Sequence, residues 1–105
     1  MDAISSALSG LQAASSRRQA SGNNVANQLS AGYQATRVDL GDQASGGVRV
    51  TQVSKDESPG NPGGSNVDLA KEFTGSIADG ILYNANLKMV QTEDERLKST
   101  LDLKV

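Results

Sequence analysis

Residues that could do chemistry are scarce in this sequence of 105 amino acids. It contains no histidine and no cysteine, so it lacks the usual zinc ligands and any Ser-His or Cys-His nucleophile pair. Carboxylates occur as neighbours in Asp56-Glu57 and Glu93-Asp94-Glu95, but adjacent residues on a helix do not face each other. The sequence therefore predicts no catalytic residue, no metal site and no cofactor, and it indicates that the protein is not an enzyme.

The glycines and the charge balance argue against two further kinds of partner. Neither group of glycines lies in a strand-to-helix turn followed by Lys-Ser or Lys-Thr, as a phosphate-binding loop requires; the groups are Gly41, Gly46 and Gly47, and Gly60, Gly63 and Gly64. The formal net charge is −2, whereas nucleic-acid-binding proteins present a basic surface. We therefore expect neither a small-molecule substrate nor a nucleic acid as partner.

The asparagines are the most informative polar residues. Asn23, Asn24 and Asn27 crowd the end of an alanine- and serine-rich helical segment, and Asn84 and Asn86 lie inside a second one. Asparagine is unfavourable within a helix because its amide competes for backbone groups, and an unpaired buried amide costs about 1–3 kcal/mol. The first group alone fits a fraying helix cap. Both groups together fit hydrogen bonds that fix helix register, as a seam Asn does in coiled coils.

Large side chains are too few for a substantial core. The chain has one Phe, two Tyr and no Trp, and it is long enough for one domain at most. Ordering the backbone costs about 1–2 kcal/mol per residue, so we expect the chain to gain order by packing against other chains. It has no apolar run of the ~20 residues that span a membrane. Its first residues are acidic and not densely apolar, which predicts no cleavable secretory signal.

A long helix is predicted over residues 3–29, with Gly32 as a left-handed cap after it. Alanines raise its helix propensity. Residues at alternating four- and three-residue steps form a stripe with the spacing of a coiled-coil seam. The stripe is apolar at its ends and small or polar in its middle; it contains Ile4, Leu8, Leu11, Ser15, Arg18, Gly22, Val25 and Leu29.

A short hairpin and a linker are predicted in the middle of the chain. Residues 36–40 and 48–53 alternate partly with period two. Two strands alone are marginal in water, so the hairpin must lean on a helix or a neighbouring chain. Residues 57–66 hold both prolines and three glycines, a composition typical of a linker.

A second long helix is expected to begin after Ser65 or Asn66, either of which can cap it. Its stripe contains Leu69, Phe73, Ile77, Gly80, Tyr83 or Asn84, Leu87, Val90, Asp94, Leu97 and Leu101. The predicted fold class is thus mainly α, with long N- and C-terminal helices pairing as an antiparallel, coiled-coil-like bundle around a short β-hairpin and a Gly/Pro linker. We expect one domain over residues 1–105, divided into 1–34, 35–64 and 65–105.

Both ends of the chain resemble motifs of the bacterial flagellar axial proteins, the family of rod, hook and hook-associated proteins. The N-terminal motif, A-L-x-G-L-x-A followed by N-N-[IV]-A-N and G-[FY], is matched by Ala7, Leu8, Gly10, Leu11, Ala13, Asn23, Asn24, Val25, Ala26, Asn27, Gly32 and Tyr33. The C-terminal motif is matched by Ser65, Asn66, Val67, Asp68, Leu69, Glu72, Phe73, Tyr83, Ala85, Asn86, Lys88, Val90, Thr92, Asp94, Glu95, Leu97, Leu101 and Leu103. Residues 35–64 leave no room for an outer β domain, so the chain most resembles a small proximal-rod-type basal-body rod protein.

The resemblance implies a structural subunit of the flagellar basal-body rod that self-assembles through its terminal helices into a helical tube. It also implies export through the flagellar type III apparatus without a cleavable signal peptide, a place in the periplasm-spanning rod, and partners that are other copies and other axial proteins (rod and hook). Gly80-Ile81 stand where the family tends to carry Gln-Arg. This departure and the short middle leave a second hypothesis, a helical adaptor or regulator linked to flagellar export that forms no tube.

The two stripes and the asparagines together define the predicted assembly interface. Its residues are Ile4, Leu8, Leu11, Asn23, Asn24, Val25, Asn27, Leu29, Phe73, Ile77, Tyr83, Asn86, Leu87, Val90, Leu97 and Leu101.

Overall fold

The protein is an elongated pair of helices with one β-hairpin between them in the sequence. The computed structural model describes residues 2–103, and the ends of the predicted domain, at 1 and 104–105, lie outside them. The elements are α1 (Ala3–Ala26), β1 (Thr36–Asp42), β2 (Val48–Lys55) and α2 (Leu69–Leu103). The longest dimension is 68 Å and the shortest 14 Å. The predicted mainly helical composition and the hairpin are confirmed. Neither helix in residues 2–103 is both long and apolar enough to cross a membrane.

Helix α1 has polar caps at both ends. The Asp2 side chain accepts a hydrogen bond from the Ser5 N–H at 2.7 Å, which satisfies one of the free donors of the first turn. At the other end the Asn27 side chain bonds the Asn23 carbonyl at 2.9 Å and accepts from the Ser30 hydroxyl at 3.1 Å. The helix therefore ends at Ala26, and its predicted extension to Leu29 is wrong.

Gly32 has the left-handed backbone conformation that is expected for a glycine at this position, but it does not cap α1. Its φ is +73°, and it lies in the second of the two turns that follow the helix, six residues after Ala26. Its N–H donates to the Gly64 carbonyl at 3.0 Å. The residue therefore redirects the chain toward the linker, which it contacts directly.

The hairpin is longer than predicted at the carboxyl end of each strand. Strands β1 and β2 pair antiparallel, with Thr36 opposite Lys55 and Asp42 opposite Val48. The register shifts once: Asp39 faces Gln52 and Leu40 faces Val50, which leaves Thr51 as the extra residue of a bulge.

The linker is ordered by hydrogen bonds to the segment between α1 and β1. The Asn66 carboxamide oxygen accepts from the Ala35 N–H at 2.7 Å, and its nitrogen donates to the carbonyls of Asp56 and Ser58 at 2.7 and 3.0 Å. Because Asn66 is committed to these contacts, it does not cap α2. The helix begins at Leu69, and Asp68 accepts from the Lys71 N–H at 3.3 Å, so the predicted cap at Ser65 or Asn66 is wrong.

The two helices run antiparallel, since residues earlier in α1 contact residues later in α2. Asn24 bonds Glu72, Ser21 bonds Ser76, Arg17 contacts Asp79, and Gly10 lies against Asn86. Helix α1 is also the element that both strands of the hairpin contact. Both α2 and the hairpin therefore pack on α1.

Small and polar residues fill the interior, and most large apolar side chains lie outside. The buried apolar residues are Ala7, Ala13, Ala14, Ala20, Ala35 and Val67, and the buried polar ones are Ser9, Ser21, Asn24, Ser65, Glu72 and Asp79. Each buried side-chain nitrogen or oxygen in residues 2–103 has a hydrogen-bond partner. The interior is therefore hydrogen-bonded throughout but poor in apolar area.

Candidate functional site

Asn24 is the centre of a polar cluster that joins three elements. Only 1% of the residue is exposed. Its amide nitrogen donates to the Thr36 carbonyl at 3.1 Å and to Glu72 Oε1 at 3.0 Å. Its amide oxygen accepts from the Thr36 N–H at 2.7 Å and from the Tyr33 hydroxyl at 3.1 Å. An amide has two donors and two acceptor lone pairs, so Asn24 uses its full capacity. The same side chain thereby connects α1, β1 and α2.

Glu72 and Arg37 extend this cluster toward the linker. Glu72 is buried, and one of its oxygens lies 3.9 Å from an Arg37 nitrogen. Arg37 also binds Asp56 at 2.8 Å. Hydrogen bonds from Ser58 and then Arg37 hold the pKa of Asp56 well below its ordinary value of 3.8. Asp56 therefore stays ionised at neutral pH and joins the hairpin to the linker through charge-assisted bonds.

Three contacts between the helices, two of them polar pairs, repeat every seven residues. Gly10, Arg17 and Asn24 are seven apart in α1, and they meet Asn86, Asp79 and Glu72, which are seven apart in α2. A seven-residue spacing keeps side chains on one face of each of two paired helices. Arg17 Nε lies 3.6 Å from Asp79 Oδ1. Each layer thus contains a polar side chain that fits one register of the helices.

Helix α2 runs past the start of α1. Continuing the register by seven residues places Ala3 level with Glu93, and all residues from Asp94 to the last described one are exposed. About ten residues therefore project, which is roughly 15 Å of helix. Leu97 and Leu101 are 47% and 63% exposed, and they lie in this projecting part.

The predicted interface residues have three different environments. Asn24 is buried. Those that are half-buried are Ile4, Leu11, Asn27, Tyr83, Asn86 and Val90. Those that are exposed are Leu8, Asn23, Val25, Leu29, Phe73, Ile77, Leu87, Leu97 and Leu101. Within the single chain, the structure brings Asn24 to the helix–helix contact and Asn86 to Gly10, while both apolar stripes lie largely outside that contact.

Three of the exposed apolar residues form a continuous patch on one face of α2. Phe73, Ile77 and Ile81 follow one another at four-residue spacing and are 58–67% exposed. With Arg18 and Gly80 they line an open groove of about 530 Å³. Contiguous exposed apolar surface on a protein usually marks an interaction site.

Sequence reasoning missed the partners of Asn24. The sequence patterns name Glu72 only as a match to the C-terminal motif, and they name neither Arg37 nor Asp79. The available signal was the polar seven-residue spacing of Glu72, Asp79 and Asn86 in α2. The apolar stripe predicts a different face of α2 toward the other helix, and these three residues lie off that stripe.

The side chains of the cluster bind and position one another. A cleft of about 190 Å³ lies beside Asn24, between β1 and α2, and is lined by cations and carboxylates that contact each other. No group of three or more His, Cys, Asp or Glu side chains that could hold a metal occurs in residues 2–103.

The fold defines an elongated, mainly helical protein whose terminal helices lie together with a hairpin on one of them. Residues 60–103 match the family model described as flagellar basal body rod FlgEFG protein C-terminal. The match covers the linker and α2, less than half of the chain. Over these residues it confirms the resemblance to the flagellar rod and axial protein family, and it supports a structural, rod-type role at the flagellar basal body. A search of curated proteins finds no match to the chain.

Proposed function

We propose that the protein is a subunit of the flagellar basal-body rod that self-assembles through its two helices into a tube. One observation carries the proposal: polar and small residues are buried inside the chain, and large apolar residues are exposed on its helices. A soluble monomer would gain by the opposite arrangement, since burying a Leu or Ile stabilises by about 1.5–3 kcal/mol. The exposed residues can make that gain in contacts with other subunits.

The projecting part of α2 is the best place to test this assembly. Leu97 and Leu101 lie four apart, on one helical face. About half of Leu97 and almost two thirds of Leu101 are exposed, and no part of α1 lies level with them. We infer that another subunit covers them in the tube, where the N- and C-terminal helices pack in a coiled-coil-like way.

The remaining parts of the proposal follow the same family resemblance. The subunit would associate with other copies and with other axial proteins, and it would leave the cell interior through the flagellar type III apparatus without signal cleavage. Residues 2–19 would contribute to the export signal. Their deletion should keep the protein in the cytoplasm, as measured by immunoblotting of cell fractions; normal export of the deletion variant would contradict this.

The test of assembly is a pair of double variants on opposite faces of the projecting helix. Leu97→Glu with Leu101→Glu should abolish sedimentation of concentrated protein and the appearance of filaments or rings by electron microscopy. The reason is that a carboxylate buried without a partner is strongly unfavourable. The control, Thr92→Glu with Ser99→Glu, adds the same two charges at exposed positions on the opposite face of α2; Ser99 lies in the projecting part, and Thr92 lies two residues before it. It should assemble like the parent protein.

Two results would argue against a tube. Full assembly of the Leu97 and Leu101 variant would mean that this face stays in solvent. A parent protein that remains monomeric at high concentration would favour the second hypothesis, a helical adaptor or regulator linked to export, because an adaptor needs no self-association.

A further inference from the structure

The hairpin is held on the helices at two polar points. At its tip, the Ser9 hydroxyl accepts from the Val48 N–H at 3.0 Å and donates to the Ser6 carbonyl at 2.6 Å. At its base, Asn24 pairs with Thr36. The two anchors are 15 residues apart in α1, a separation of about 22 Å along the helix axis.

Apolar packing between these points is loose. A cleft of about 190 Å³ separates the hairpin residues Leu40 and Val48 from Ala13 and Ala14 of α1. The second cleft, also about 190 Å³, lies beside Asn24 on the side of α2. Interiors that are tightly packed fix geometry by interlocking side chains, and such interlocking is weak here. The orientation of the hairpin must therefore depend strongly on its polar anchors.

The Asn24 anchor is the more restrictive of the two. Its amide bonds both the N–H and the carbonyl of Thr36, which is how a neighbouring strand would pair with that residue. The other two bonds, to Tyr33 and Glu72, fix the amide plane from the opposite side. A rotation of the side chain or a shift of β1 would break two or more of these four bonds at once.

We propose that Asn24 is a positioning residue that sets the orientation of the hairpin on the helix pair, and that assembly depends on this orientation. The second clause rests on the proposed function, whereas the first concerns the single chain. Asn24 acts through the Thr36 backbone, and Glu72 orients its amide.

Asn24→Asp tests the first clause at nearly constant size. The carboxylate cannot donate, so the bonds to the Thr36 carbonyl and to Glu72 are lost, and two carboxylates face each other. The chain has no cysteine, so Gln52→Cys and Thr74→Cys allow two spin labels to be placed on β2 and α2. The label distance should change from one narrow distribution to a broad one. Hydrogen exchange at the Thr36 amide should become about tenfold faster, the effect of losing one or two buried bonds.

Two further variants make the result specific. Gln19→Glu is the matched control, because it makes the same amide-to-carboxylate change at an exposed position of α1; it should leave both readouts unchanged. Adding Glu72→Gln to Asn24→Asp restores a donor and removes the charge repulsion, and it should recover most of the Thr36 protection and the narrow distribution.

Each outcome decides one clause. Unchanged label distances and Thr36 exchange in Asn24→Asp would overturn the positioning role. Loss of helical circular dichroism in that variant would overturn it as well, since Asn24 would then hold the whole fold. If the hairpin is released but filaments form as before, the dependence of assembly on orientation is overturned while the proposed tube stands. If the parent protein forms no filaments, the proposed function fails, and the label distances still decide the role of Asn24.

Discussion

Gly10 and Gly22 are both glycines inside α1, and the structure predicts opposite effects for the same substitution at the two sites. A glycine inside a helix is about 1 kcal/mol less favourable than alanine. Apart from the adjacent residues and the nearby backbone of α1 itself, no atom lies within 4 Å of a methyl group added at Gly22, so Gly22→Ala should gain the full amount. At Gly10 the added carbon would lie 2.6–2.8 Å from three atoms of the Asn86 side chain. Overpacking of this kind costs about 1–3 kcal/mol, which cancels or exceeds the helix gain.

The assay is thermal and urea unfolding of dilute protein, followed by circular dichroism. Gly22→Ala should raise the melting temperature by roughly 4–8 °C, the shift expected for 1 kcal/mol in a domain of this size. Gly10→Ala should leave it unchanged or lower it, because the Asn86 amide is held by a bond to the Leu82 carbonyl at 2.9 Å and must break it to move away. Asn86→Ala removes the side chain that a methyl group at Gly10 would meet. In that background Gly10→Ala should stabilise the fold about as much as Gly22→Ala does, and a double-mutant cycle measures this difference directly.

One result would refute the reasoning. If Gly10→Ala stabilises the parent protein as much as Gly22→Ala does, the helices do not approach closely at Gly10. The seven-residue register that joins Gly10 to Asn86 would then be incorrect in solution. Failure of Gly22→Ala to stabilise would instead mean that the exposed surface around Gly22 is already in contact with another subunit under the conditions used.

Two more predictions concern the middle of the chain. Since the folded-state pKa of Asp56 is lowered, its contribution to stability is present above its unfolded value of 3.8 and is lost as the pH falls through and below that value; Asp56→Asn should flatten the decline of the urea midpoint between about pH 5 and 2, and an equally steep decline in the variant would exclude this carboxylate as a cause. Gly32→Ala should destabilise by about 1–2 kcal/mol because φ is +73° there. Ala31→Gly is its exposed neighbouring control and should show no comparable loss.

The course of the chain was predictable because local signals for it are strong. The alanine-rich pattern, the alternating strands and the proline-glycine linker predicted every element, with strand and helix ends wrong by a few residues. The errors at the helix ends have a common origin: capping depends on which side chain is free to cap. Asn66 suits a helix cap by type, but it is occupied by Ala35 and the linker carbonyls, and Asp68 takes the role.

The faces of the helices were harder to predict, for a physical reason. Pattern reasoning assumes that the apolar face of a helix points into its own chain. In this protein the residues facing the other helix include Arg17, Asp79, Glu72 and Asn24, while Phe73 and Ile77 are exposed. That assumption fails wherever the partner that covers an apolar face is another molecule. A role of the asparagines in register between subunits stays a prediction. Within the chain Asn24 bonds the other helix through Glu72, and its bonds to the hairpin backbone depend on a turn that the sequence pattern does not describe.

The two kinds of surface can serve different purposes in one small subunit. Hydrogen bonds contribute little net stability but are costly when left unmade, so polar layers such as Asn24–Glu72 select one register without making the isolated chain very stable. Apolar contacts are less directional and grow with buried area, so exposed residues such as Phe73, Ile77 and Leu101 can supply the free energy of association. In the proposed tube, a subunit organised in this way would have its geometry set by internal polar bonds before assembly, and it would acquire most of its stability from its neighbours afterwards.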